Sequence, residues 1–182
     1  MRKTKVALTA LLATTAVVSC AAASQTGASA ASARTETAHI VVWSVNSDGP
    51  RFQAILTGAI GDYGPAVTVT PDGAVDPDHT SELELKLSHG SFRLSIAKLD
   101  AEFARSAPHW PYDRATCSVH ATVTGTAPIV AGSGTGSYRG IAGSFSLTIG
   151  VDEDDTTGPE CSEETAFKAQ LLLIAGTGSL RG

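Results

Sequence analysis

The sequence is short of most features that announce a reaction. No stretch is long enough to span a bilayer comfortably: Val6–Val18 is uncharged and mostly apolar but too short, and no stop-transfer pattern follows it. Basic residues are scarce, 13 Lys and Arg against 18 Asp and Glu, which argues against a surface for nucleic acid or anionic lipid. Glycine is plentiful, but its spacing fails the phosphate tests. A dinucleotide fingerprint begun at Gly132 would need glycine where Ser137 stands, and one begun at Gly134 meets Arg139. No Gly-Lys-Ser/Thr follows for a P-loop, and there is no G-x-S-x-G nucleophile elbow. The five histidines (His39, His79, His89, His109, His120) stand apart, without His-x-His or H-E-x-x-H spacing. Asp152-Glu-Asp-Asp155 with Glu160, Glu163 and Glu164 is rich in hard oxygens, but Thr157 stands where an EF-hand loop needs glycine, so a solvated loop is expected. Neither a metal nor a cofactor is predicted, and no residue is assigned as catalytic.

What is present begins with an export signal over residues 1–20. Arg2, Lys3 and Lys5 form its positive end, and Val17-Val18-Ser19-Cys20 resembles a lipobox in which Cys20 is acylated. Ordinary cleavage at Ala28-Ser-Ala30 or Ala31-Ser-Ala33 is the alternative; lipidation is preferred. Both routes place the mature chain outside the cytoplasm, secreted or at the cell surface, with membrane contact only through the lipid. Loss of the three basic residues moves the net charge from −5 to about −8. With Cys20 removed from the count of three cysteines, Cys117 and Cys161 are expected to pair in a compartment where a disulfide persists. The loop they close would contribute roughly 4 kcal/mol in the chain-entropy model. Residues 21–37 are Ala, Ser, Thr and Gly with few large apolar groups, and read as a flexible tether. Residues 38–182 then form one domain.

That domain reads as all-β. Leu83, Leu85 and Leu87 alternate with Glu82, Glu84 and Lys86; Phe92, Leu94 and Ile96 alternate with Ser91, Arg93 and Ser95. Strands are expected near 38–46, 51–60, 65–70, 81–88, 91–97, 116–127, 141–151 and 165–175. About eight strands with Gly and Pro turns predict a single antiparallel β-barrel with one disulfide. A short helix is expected over Ala97–Arg105. His89-Gly90 signals a hairpin in which both residues tolerate the left-handed region. Gly134-Thr-Gly-Ser-Tyr-Arg-Gly140 and Gly176-Thr-Gly-Ser-Leu-Arg-Gly182 differ at one position and are read as shared turn chemistry rather than duplication.

The block Gly134-Thr-Gly-Ser-Tyr-Arg-Gly-Ile-Ala-Gly143 resembles the G-T-G-x-Y-x-G-x-x-G turn of the allene oxide cyclase and dirigent barrel superfamily. It is similar above all to the exported actinobacterial proteins of unknown function that share that barrel. Leu56–Gly64, Ser88–Ile96 and Tyr112–Cys117 resemble other segments of the group more loosely. The resemblance implies an eight-stranded barrel whose lumen can hold a small apolar molecule, and it leaves a homo-oligomer open. It carries no catalytic acid onto a residue of this chain.

Three residues stand out as lumen or rim contacts. His120 lies on the polar register of its strand with Ser118, Thr122 and Thr124; it either lines the lumen as an acid or base or faces solvent, the second being preferred. Trp110 and Tyr112 sit in Pro108-His-Trp-Pro-Tyr112, which either rims a ligand mouth or packs on the barrel end. Tyr63 is read as turn packing. Three functions follow: a binding module for a small apolar ligand, a cyclase- or isomerase-type enzyme acting in the lumen, or a cell-envelope structural or interaction protein with a filled lumen.

Overall fold

The computed structural model describes residues 35–45, 51–76, 81–155 and 167–181. These fall in the unit Ala33–Gly182. The signal, the lipobox cysteine Cys20 and the predicted disulfide partner Cys161 lie outside the described residues. Nine antiparallel strands form one curled, half-barrel sheet: β1 (Glu36–Val45), β2 (Arg51–Gly58), β3 (Asp62–Val69), β4 (Glu82–Leu87), β5 (Gly90–Ser95), β6 (Tyr112–Asp113), β7 (Ser118–Pro128), β8 (Ala142–Asp155) and β9 (Phe167–Arg181). Helix α1 (Ala97–Ser106) follows β5. The order across the sheet is β5-β4-β3-β2-β1-β9-β8-β7-β6.

Period-two alternation produces this wall because successive side chains of a strand point to opposite faces. Ile40 and Val42 of β1, Leu83 and Leu85 of β4, Phe92 and Leu94 of β5, and Phe145 and Leu147 of β8 all turn inward and are wholly buried. They join one apolar cluster that includes Leu56, Val123, Ile129, Ile149, Ile174 and Leu180. Phe145 rests directly on the backbone of Gly178, where a Cβ would stand 2.6 Å from its ring.

Five expectations need correction. The strands number nine, because Tyr112–Asp113 pairs with Val119 and Ser118 as a short edge strand. The tether ends early, since Glu36 and Thr37 already pair with Leu180 and Ser179. The second copy of the near-repeat is no turn: residues 176–181 continue β9, paired with β1 and β8, because strand neighbours on both sides satisfy its backbone. The acidic run Asp152–Asp155 continues β8 rather than forming a loop; Asp152 meets His120, Glu153 meets Gln170 and Asp154 meets Lys168. Tyr63 packs in no turn; it lies on the outer face of β3, 69% exposed.

The half-barrel's open side is closed by irregular backbone rather than by a strand ladder. Leu94 bridges Ile129, and the glycine block continues the contact: Val130 N–H donates to Arg93 O (2.8 Å), Thr135 N–H to Ser91 O (2.8 Å) and Ser137 N–H to His89 O (2.9 Å). Two glycines let the chains approach this closely. A Cβ on Gly136, at φ 55°, would lie 2.3 Å from His89 O, and one on Gly90 2.3 Å from Thr135 O. Past Ser95, α1 takes over the seam and inserts Leu99 beneath Gly125 of β7.

Candidate functional site

The most elaborate polar group in the described interior is Asp62, which no motif or spacing in the sequence singles out. It opens β3 and is 5% exposed. Its Oδ1 accepts from Tyr63 N–H (2.8 Å), from Ser88 N–H (3.2 Å) and from the Ser88 hydroxyl. Its Oδ2 accepts from His89 N–H (3.1 Å) and the Tyr138 hydroxyl (2.5 Å), with His89 Nδ1 at 3.0 Å. Burial alone would raise its pKa. The bonds from Ser88, Tyr138, Tyr63 and His89 outweigh burial and hold the carboxyl far below the usual range. Burial and the same carboxylate push the Tyr138 hydroxyl well above its ordinary value. Asp62 therefore ties together the β4–β5 turn, the start of β3 and the glycine block.

The expected hairpin at His89-Gly90 is present between β4 and β5, and only its backbone at His89 differs. Ser88 and His89 form the turn between Leu87 and Gly90, and His89 does not occupy the left-handed region; Cys117, at φ 55°, is the non-glycine residue at positive φ among the described residues. The Asp62 carboxylate holds the turn from outside, so left-handed backbone at His89 is not needed.

The other buried acids among the described residues are matched as well. Glu82 accepts from Arg93 Nη1 (2.6 Å), and Asp155 accepts from the Tyr112 hydroxyl (2.6 Å). Tyr112 thus anchors β6 to the end of β8. Trp110 stacks edge-on against Phe103 at 4.7 Å and donates Nε1–H to Ser106 Oγ (3.0 Å), which ties the segment after α1 back to the helix. His120 faces outward, its ring paired through Nδ1 with Asp152 Oδ1 (2.5 Å) on the exposed side of β8, so it contributes nothing to the interior. The structure does not bring His120, Trp110 and Tyr112 together as a lumen site. No group of three or more His, Cys, Asp or Glu side chains spaced for a metal occurs among the described residues.

Two surface features remain. The outer face of β9, β1, β2 and β3 carries apolar side chains in register. Ala175, Val41, Ile55 and Tyr63 form one row; Leu173, Trp43, Gln53 and Pro65 form the next; Leu171 and Val45 extend it. Val41, Val45, Ile55, Leu171 and Leu173 are each between 36% and 49% exposed. On the other flank a cleft of about 890 Å³ runs between Lys98, Leu99, Glu102 and Ser106 of α1 and the Thr122–Thr126 stretch of β7. No protein-family model, no curated protein and no solved structure matches the chain.

Proposed function

We propose that this chain is an exported β-sheet module that works through its outer surface, as a cell-envelope structural or interaction protein. The observation that supports this reading is the filled interior: Phe92, Phe145, Leu83, Leu85, Leu94 and Leu147 are wholly buried in one cluster, and the buried acids are all engaged by structural donors. A small-apolar-ligand module or a lumen cyclase needs open space in the interior.

The apolar outer face fits a second copy of the chain. Its six exposed side chains present on the order of 500 Å², at the upper end of what monomers leave uncovered. Its middle rows carry no charge in a chain of net charge −5, so copies meeting there bury no like charges. Kinship with the exported allene oxide cyclase-like barrels is part of the proposal. It is supported by the curled antiparallel sheet and by the glycine block, which lies in the turn between β7 and β8. So are anchoring through Cys20 and a Cys117–Cys161 bond. Cys117 is 4% exposed, and its carbonyl accepts from Asp155 N–H (2.8 Å), six residues before Cys161.

Native mass spectrometry of the protein from its own host tests the reading. A homo-oligomer carrying no co-purified small molecule is expected, with an acylated Cys20. A retained apolar compound would overturn the outer-surface reading. A mature N-terminus after Ala30 or Ala33 would remove the lipid anchor alone.

A further inference from the structure

Strand β7 has β8 along one side and, along much of the other, no strand among the described residues. The phase of its backbone is fixed by the bond from Ile129 N–H to Gly143 O (3.0 Å). Antiparallel pairing alternates, so odd-numbered residues of β7 exchange bonds with β8 and even-numbered residues point N–H and C=O away from it. The same phase appears where the seam is closed, since Val130 N–H reaches Arg93 O at 2.8 Å. At the opposite end β6 covers Ser118 and Val119. Between these closures Thr122, Thr124 and Thr126 direct three N–H and three C=O groups into the cleft, with no backbone partner among the described residues.

The facing wall is the stripe Ser95, Lys98, Leu99, Glu102 and Ser106. Leu99 is 3% exposed and fills the floor under Gly125, within 2.9 Å of where a Cβ would stand. Little depth therefore remains for a large side chain pointing inward. Lys98 and Glu102 contribute one charge of each sign, so the cleft is neutral in an acidic chain. An unpaired strand edge is a template for another extended chain, because donors and acceptors recur at the two-residue repeat of about 7 Å that such a chain itself presents. Lipids do not carry that repeat.

We propose that this cleft binds an extended, uncharged peptide segment by strand addition to Thr122, Thr124 and Thr126. The added segment sets small side chains (Ala, Gly or Ser) over Leu99 and polar ones outward beside the threonines. The site lies apart from the apolar face of β9, β1, β2 and β3 and stands independently of self-association there.

Amide hydrogen exchange on the full chain, followed by NMR, tests this. In the free protein the amides of Thr122, Thr124 and Thr126 should exchange fast and those of Ala121, Val123 and Ala127 slowly. A capped peptide of about ten alternating Ala and Thr residues, at about 1 mM, should slow the three threonine amides at least about tenfold. Two further peptides, N-methylated on one or the other set of alternate amides, should differ: one binds and one does not, because an added strand uses a single edge. Thr124→Pro removes an outward N–H and leaves the β8 ladder intact, so the odd-numbered amides stay protected while the peptide's effect is lost. The proposal is overturned by threonine amides already as slow as their neighbours, by no slowing with peptide, or by equal action of the two methylated peptides. Protection that grows with protein concentration in the absence of peptide overturns it too, because the occupant is then a second copy.

Discussion

At the scale of single residues, Asp62 shows how a carboxylate can be buried without being poised for chemistry. All of its acceptor capacity is directed at structural donors, so no lone pair is left to take a proton from a substrate. The folded state holds the ionised form far below the unfolded value of about 3.9. The stability this contributes is present above about pH 4 and is lost as pH falls from there toward the folded pKa. Asp62→Asn should lower stability by roughly 3 kcal/mol near neutral pH, because an amide cannot satisfy so many donors, and should flatten the acid limb of the stability curve. Urea titrations across pH 2 to about 7 read both effects; an unchanged acid limb would show that Asp62 does not carry it. Asp62 is not legible in the sequence because its partners Ser88 and Tyr138 lie 26 and 76 residues away. No local pattern encodes so remote a cluster. His120, by contrast, was legible: its place on the polar register of β7 pointed to solvent, where it is found.

At the scale of elements, the strands were legible wherever one face is buried and the other wet. Such alternation gave β4, β5 and β8 their positions, and the helix over Ala97–Arg105 is present as α1 with one further residue. The sequence was misleading where identical glycine motifs meet different neighbours. Gly134–Gly140 turns because the β5 hairpin reaches across to it, whereas residues 176–181 stay extended because β1 and β8 flank them. Gly136→Ala should therefore cost about 2 kcal/mol or more, combining a left-handed alanine with a collision at His89 O. Faster exchange at the Val130, Thr135 and Ser137 amides would accompany the loss. Leu99→Ala, which empties the space beneath Gly125, should cost about 2–5 kcal/mol by the usual cavity rule and free α1 first. Calorimetry with helix-specific exchange measurements separates that outcome from uniform destabilisation.

At the scale of the whole molecule, an interior filled by Phe, Leu and Ile and an exterior with surplus apolar rows divide the labour between inside and outside. A charge at the middle of those rows should be felt by association and hardly by the fold. Val41→Lys is expected to weaken self-association at least about tenfold, or 1.4 kcal/mol, with the thermal midpoint of the dissociated chain little changed. Sedimentation over a concentration series measures it, and a mass independent of concentration in both proteins would remove the second copy from the proposal. The sheet order has one more consequence. The ladder at its centre joins β1 to β9 over ten residue pairs, from Glu36↔Leu180 to Val45↔Leu171. A chain emerging N-terminus first from a ribosome or a membrane pore must keep that edge of β1 unpaired until β9 has followed it out. The sheet is thus completed only after emergence, a timing compatible with crossing a membrane as an unfolded thread.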